Sequence, residues 1–175
     1  MRKTLLFFAI IIFNSSFAQK WNPTTGTAKF YIKMLGLGVN GNFKGLKASI
    51  DFNPENPSNS SIFASVDANT VSTDNTLRDT HMREKPEFFE VAKYPTLSLK
   101  STSITKNGIS YIGMFNFTIK NITKSVKIPF TFTQTGDKGV FVANFEINRN
   151  DWNFGGNTMG MSDKVKISLS LNVQQ

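Results

Sequence analysis

The sequence predicts an all-β fold of eight antiparallel strands, and three observations predict it. Nearly every long apolar segment alternates apolar and polar side chains with period two, the pattern of a strand with one wet face. Short turn-forming links join these segments, which makes neighbours antiparallel, because a parallel pair needs a long crossover. One stretch alone, residues 75–101, has a periodicity that is not a strand's and reads as a short helix followed by a loop. Eight such strands either stack as a sandwich or close into a barrel, and the pattern by itself leaves both open.

Taken in order, residues 1–18 stand apart from the fold. Arg2 and Lys3 precede an apolar run from Leu5 to Phe13, and Ser16-Phe17-Ala18 supplies small residues at −3 and −1. These are the features of a secretory signal peptide cleaved before Gln19, leaving 19–175 as a single domain. The apolar run is too short for an ordinary membrane-spanning helix. With no cysteine anywhere in the chain, neither a lipid-anchored cysteine nor a disulfide is available, so the core must stabilise the fold.

The first strand has Ala28, Phe30, Ile32 and Met34 on its apolar face. Leu46, Ala48, Ile50 and Phe52 form the second, and Ile62, Ala64, Val66 and Ala68 the third. Pro54 and Pro57 mark the loop between these two. Leu97 and Leu99 alternate with Ser98 and Lys100 in the fourth. The fifth carries Tyr111, Phe115, Phe117 and Ile119, and the sixth Val126, Ile128, Phe130 and Phe132. Phe141, Ala143, Phe145 and Ile147 make the seventh, and Val165, Ile167, Leu169, Leu171 and Val173 the last. Asn107-Gly108 has the chemistry of a tight hairpin turn; Asn121-Ile122 and Gly136 to Gly139 supply two more.

The stretch that breaks the alternation holds the sole histidine, His81. Asp74 is placed to cap a helix reaching about Lys85, where Pro86 stops it. Asp74 with Arg78, and Asp79 with Arg83, are spaced four apart, acid first, the favourable order for helical ion pairs. Phe88, Phe89 and Tyr94 follow on what reads as loop. Rings in a loop need a surface to cover, so this segment is expected to close over one end of the fold.

Composition excludes several functions. The chain has 20 Lys and Arg against 12 Asp and Glu, but the lysines are scattered along strands, and an exported protein is a poor match to nucleic acid. The excess serves solubility, with transient contact at an anionic membrane surface as the other use. His81 and Asp79 are two apart, which on a helix points them to different sides. Asp151 is the other acid available to an enzyme using His81, yet no serine or cysteine nucleophile accompanies them. No metal site is expected, since zinc recruits several His or Cys ligands. Met159 and Met161, in a glycine loop, read as flexible apolar cover rather than copper ligands.

Several spaced motifs resemble the YceI-like polyisoprenoid-binding family. They are Arg78-Asp79-x-His81-Met82-Arg83, Glu87-Phe88-Phe89-Glu90, Lys93-Tyr94-Pro95 and Lys100-Ser101-Thr102. Gly41-x-Phe43-x-Gly45, the hairpin Phe117 to Lys124, Arg149-x-Asp151-Trp152 and Ser162-Asp163-Lys164-Val165 continue the match in the same order. Asn121 replaces the hairpin glycine, Pro86 is added, and Trp152 stands where phenylalanine is usual.

The resemblance implies an eight-stranded, lipocalin-like antiparallel barrel with one short helical lid, exported to the periplasm. It further implies a non-enzymatic protein that holds an isoprenoid or similar lipid and needs no other cofactor. The residues expected to line its interior are Phe30, Phe52, Val66, Leu97, Leu99, Phe115, Phe117, Ile128, Phe130, Phe132 and Phe145, with Phe88 and Phe89 from the lid. Arg78, Asp79, His81, Tyr94, Pro95, Arg149 and Asp151 are expected to be structural, His81 fastening the lid through a hydrogen bond to backbone. A homodimer is compatible with the sequence. The alternatives are a fatty-acid or lipid-amide carrier, a lipid-modifying enzyme using His81, and a solid-cored protein with no ligand.

Overall fold

The structure, a computed structural model, describes residues 19–175; the expected leader, residues 1–18, lies outside the described residues. The strands are β1 (Gln19–Met34), β2 (Leu37–Phe43), β3 (Lys47–Phe52), β4 (Ser61–Asp67), β5 (Thr96–Asn107), β6 (Ser110–Ile119), β7 (Ile122–Thr135), β8 (Lys138–Asn148) and β9 (Lys164–Gln174), with helix α1 (Thr76–Glu84) between β4 and β5. Every strand pairs antiparallel with its neighbours from β3 to β9. The sheet then closes through β1 and β9. A barrel, not a sandwich, is therefore the answer to the question the pattern left open.

Nine strands make eight staves, because β2 and β3 share one. Both run antiparallel to β1 in one continuous register, Phe43 opposite Ala28 and Ile50 opposite Trp21. Between them Lys44–Leu46 leaves β1, with Gly45 at φ +67, a conformation that side chains disfavour. The outer edge of β2 carries only one isolated bridge, Asn42 to Ser72. At this level the helix segment, not a strand, completes the wall.

The helix begins one residue later than expected. Asn75, not Asp74, is its cap: the Asn75 side chain accepts from the Arg78 N–H at 2.9 Å, while Asp74 sits at φ +57. The two expected ion pairs within the helix give way to a knot around Thr73. Asp79, buried, accepts from the Thr73 N–H at 2.9 Å, and Arg78 donates to Thr73 Oγ1 and Thr73 O, both at 2.7 Å. Pro86 does end the helix, which stops at Glu84. In the β6–β7 hairpin the left-handed residue is Lys120, φ +56, rather than Asn121.

Inward positions of the barrel divide into two zones. At the end where β1 starts, rings pack against one another. Phe52 is fully buried, with ring centroids 5.0 Å from Tyr111, 5.1 Å from Phe132 and 5.2 Å from Phe141. Trp21 closes this cluster 4.9 Å from Phe132, and its Nε1 donates to Phe52 O at 3.1 Å. Edge-on and tilted pairs of this kind add about 0.5–1.5 kcal/mol each beyond area burial. This end is a solid plug. The opposite end is hollow.

Candidate functional site

The hollow end is a cavity of about 470 Å³ with a predominantly apolar lining, within the usual range for small-molecule sites. Its walls follow from the strand alternation: Phe30 and Ile32 from β1, Val66 from β4, Leu97 and Leu99 from β5, Phe117 from β6 and Phe145 from β8. The roof comes from the segments that are not strands. Helix α1 contributes Met82, the lid loop Phe88 and Phe89, and the β8–β9 connection Phe154 and Met161.

The roof is held by two tie points. Phe89 packs 4.6 Å from Phe154 and 5.6 Å from Phe43, and Phe88 lies 5.6 Å from Phe154. The backbone agrees, since Phe89 N–H donates to Met82 O at 2.9 Å and Gly155 N–H to Glu87 O at 2.6 Å. Beneath the β8–β9 connection, Arg149 is buried and acts as its anchor. Its guanidinium donates to Ser162 O (3.1 Å), Phe154 O (2.7 Å), Gly156 O (2.9 Å) and Met161 O (3.4 Å), and pairs with Asp163 at 3.3 Å. A planar five-donor cation suits a loop whose carbonyls all turn inward.

The expected lining residues fall into two groups. Phe30, Val66, Phe88, Phe89, Leu97, Leu99, Phe117 and Phe145 border the cavity. Phe115, Ile128 and Phe130 border instead a separate inner void of about 70 Å³, and Phe52 and Phe132 belong to the ring plug. The single interior lining that the resemblance implied is thus divided between a cavity that stops partway and a packed end. Alternation says which face points inward, not whether that face meets a ring or a void.

Among the structural residues, Arg78, Asp79 and Arg149 hold the knots described above. Pro95 O accepts from the Ala68 N–H at 2.8 Å and fixes the start of β5. Tyr94 does not cover the cavity; its ring lies under two cations, Lys93 at 5.1 Å and Lys120 at 5.7 Å. The hydrogen bond that the Lys93 ammonium donates to Tyr94 is the main cause that raises the Lys93 pKa above its ordinary value. Asp151 is exposed, in the turn Arg149–Trp152, and does not border the cavity. His81 departs most from expectation. Its ring makes no hydrogen bond among the described residues and borders the cavity, as does Lys85 one turn on.

Sequence reasoning missed Phe154, Met82, Met161 and Phe43 as wall residues. Met82 had a signal, its place four residues after Arg78 on the helix face that also bears Lys85. Phe154 had none, since it lies in a glycine-rich connection without periodicity.

Comparison with known proteins places this architecture. Residues 20–173 match the YceI-like domain. A protein of Yersinia pestis (strain Pestoides F), named UPF0312 protein, is 33% identical over 150 residues, covering 82% of this chain and 78% of the relative. The crystal structure of Burkholderia cenocepacia BcnA is similar with a TM-score of 0.79 at 23% identity, covering 84% of this chain and 95% of that one. A polyisoprenoid binding domain from Saccharophagus degradans, implicated in plant cell wall breakdown, is similar with a TM-score of 0.67 at 13% identity, covering 91% and 99%.

Proposed function

This chain belongs to the YceI-like family, and from that premise we propose that it is a non-catalytic carrier holding an isoprenoid lipid in its cavity after export to the periplasm. The observation that carries this is the cavity itself: apolar walls on seven strands under a roof of short, separately tied segments. An apolar cavity of this size is unfavourable to leave empty or wet. Each CH₂ it buries contributes about 0.8 kcal/mol. Branched chains, stiff at their double bonds, suit rigid walls built from rings. The polyisoprenoid binding domain of S. degradans, with the same fold, supports this choice of ligand. The leader-like residues 1–18 support export.

The polar residues of the motif support a binding role. Arg78, Asp79 and Arg149 are consumed by hydrogen bonds that hold the fold. His81 has no acid or nucleophile bonded to it, so general-base chemistry lacks its partner group. A second reading, a carrier of fatty acid, is favoured by one observation: His81 and Lys85 both border the cavity and could receive a carboxylate.

Mass spectrometry of organic extracts from the purified protein tests these readings. A prenyl chain supports the first, a fatty acyl chain the second, and an empty protein overturns both. His81→Ala should retain the lipid and change stability by less than about 1 kcal/mol, because no hydrogen bond is lost. Turnover of a bound lipid that disappeared in this variant would make the protein an enzyme.

A further inference from the structure

The cavity and the inner void are neighbours with a shared wall. Leu46, Ala64, Leu99 and Leu169 border both. These four come from the stave shared by β2 and β3, from β4, β5 and β9, so they line one side of the barrel where the two spaces meet. Leu99 lies opposite Ala64, and Leu169 opposite Ala28. Beyond them the inner void ends at Phe130 and Phe141, which belong to the ring plug with Phe52. A chain entering from the roofed end therefore meets a narrowing, then a small void, then a solid wall.

We propose that Leu46, Ala64, Leu99 and Leu169 form a throat that sets the length of the chain this protein binds. The proposal rests on the lipid-holding function and adds its selectivity. At about the 30 Å³ of a water molecule per carbon-sized group, a cavity of about 470 Å³ takes about fifteen such groups, or about three isoprene units. Any further unit must stay outside the mouth, where it remains in water and adds nothing to affinity. The inner void of about 70 Å³ has room for about two more groups by the same measure. Replacing Leu169 by alanine removes three carbons from the throat. The space gained and the inner void together match one more five-carbon unit. Leu169 is the throat residue to change first, because it is only half-buried while Leu99 is buried. Filling the throat has the opposite effect: a ring at position 64 takes up the deep end of the cavity.

The test uses residues 19–175, stripped of lipid by solvent and titrated with isoprenoid alcohols of two, three, four and five units. Displacement of a fluorescent apolar probe gives the affinity of each. For the wild type, affinity should rise at least about tenfold from two to three units, since a buried CH₂ is worth about fourfold. It should then level off. Leu169→Ala should move the levelling to four units, and Ala64→Phe should move it to two. Leu99→Ala gives the same reading as Leu169→Ala should the latter fail to fold. Affinity that climbs unbroken to five units in the wild type, or levels at one length in all variants, overturns the throat. Failure of every alcohol to displace the probe overturns the lipid-holding function, and the throat with it.

Discussion

The division of the barrel into plug and cavity predicts unequal penalties for the same substitution at two buried phenylalanines. Phe52 and Phe117 are 0% and 6% exposed, so burial alone would rank them together. Phe52, however, is enclosed by rings: Tyr111, Phe130, Phe132 and Phe141 lie with centroids between 5.0 and 6.0 Å. Phe52→Ala leaves a cavity in close-packed surroundings and should cost about 5 kcal/mol, the upper end for buried Phe→Ala. Phe117 touches Trp152 at 5.4 Å on one side and the cavity on the other. Its ring lacks packing partners on the open side, so Phe117→Ala should cost about 2 kcal/mol. The assay is urea and, separately, thermal denaturation of lipid-free protein followed by circular dichroism, with the urea slope checked for constancy. At about 2–4 °C per kcal/mol for a chain this long, the two melting temperatures should differ by roughly 6–12 °C. Adding ligand should stabilise Phe117→Ala and the wild type by linkage while leaving the Phe52→Ala deficit relative to wild type intact. Penalties equal to within about 1 kcal/mol would refute the division.

Arg149→Met should cost about 3–5 kcal/mol, because four carbonyls and Asp163 lose a shared donor that a thioether cannot replace; thermal melting with and without lipid measures it. Phe88→Ser with Phe89→Ser should speed lipid release more than it lowers the melting temperature, as stopped-flow transfer to acceptor vesicles would show, and unchanged release would make these rings ordinary core. Burial holds the Tyr111 phenol above its ordinary value, so the stability it contributes is complete below about pH 10 and is lost as pH rises through the raised folded value. Tyr111→Phe, which removes the 3.2 Å bond to Pro54 O, should therefore show a smaller loss of stability than the wild type above that pH in alkaline denaturation curves.

Much of the barrel was legible in the sequence because strands with one wet face advertise it. Ile119, Phe130 and Leu171 face inward where the alternation put them. The strand β2 was not legible by the same rule. Its Leu37-Gly38-Val39-Asn40-Gly41 run offers no apolar alternation, because the glycines are where rings of β1 lie flat. A Cβ on Gly41 would come within 2.1 Å of the Phe30 ring, and one on Gly38 within 2.8 Å of Tyr31. The first half of β1 was hidden likewise, by Pro23 at a register shift and by Gly26. The helix was found, yet its capping residue was off by one, since Asp74 and Asn75 are both good caps and only backbone geometry decides. The limit of the cavity could not be read at all. Phenylalanine in a strand is the same letter whether its ring faces Phe52 or empty space.

The plug also bears on how such proteins diverge. Substitution in a close-packed ring cluster is penalised by the fold, whatever the ligand. Substitution around the cavity is tested mainly by what must be bound, since a wall already beside empty space loses little when reshaped. The chain thus keeps its folding requirement at one end and its chemical requirement at the other. A lineage could exchange one lipid for another by changing residues such as Leu169 or Phe145 while Trp21, Phe52 and Phe141 stay fixed. Sampling many relatives should then show sequence variation graded along the barrel axis, steepest where the roof sits.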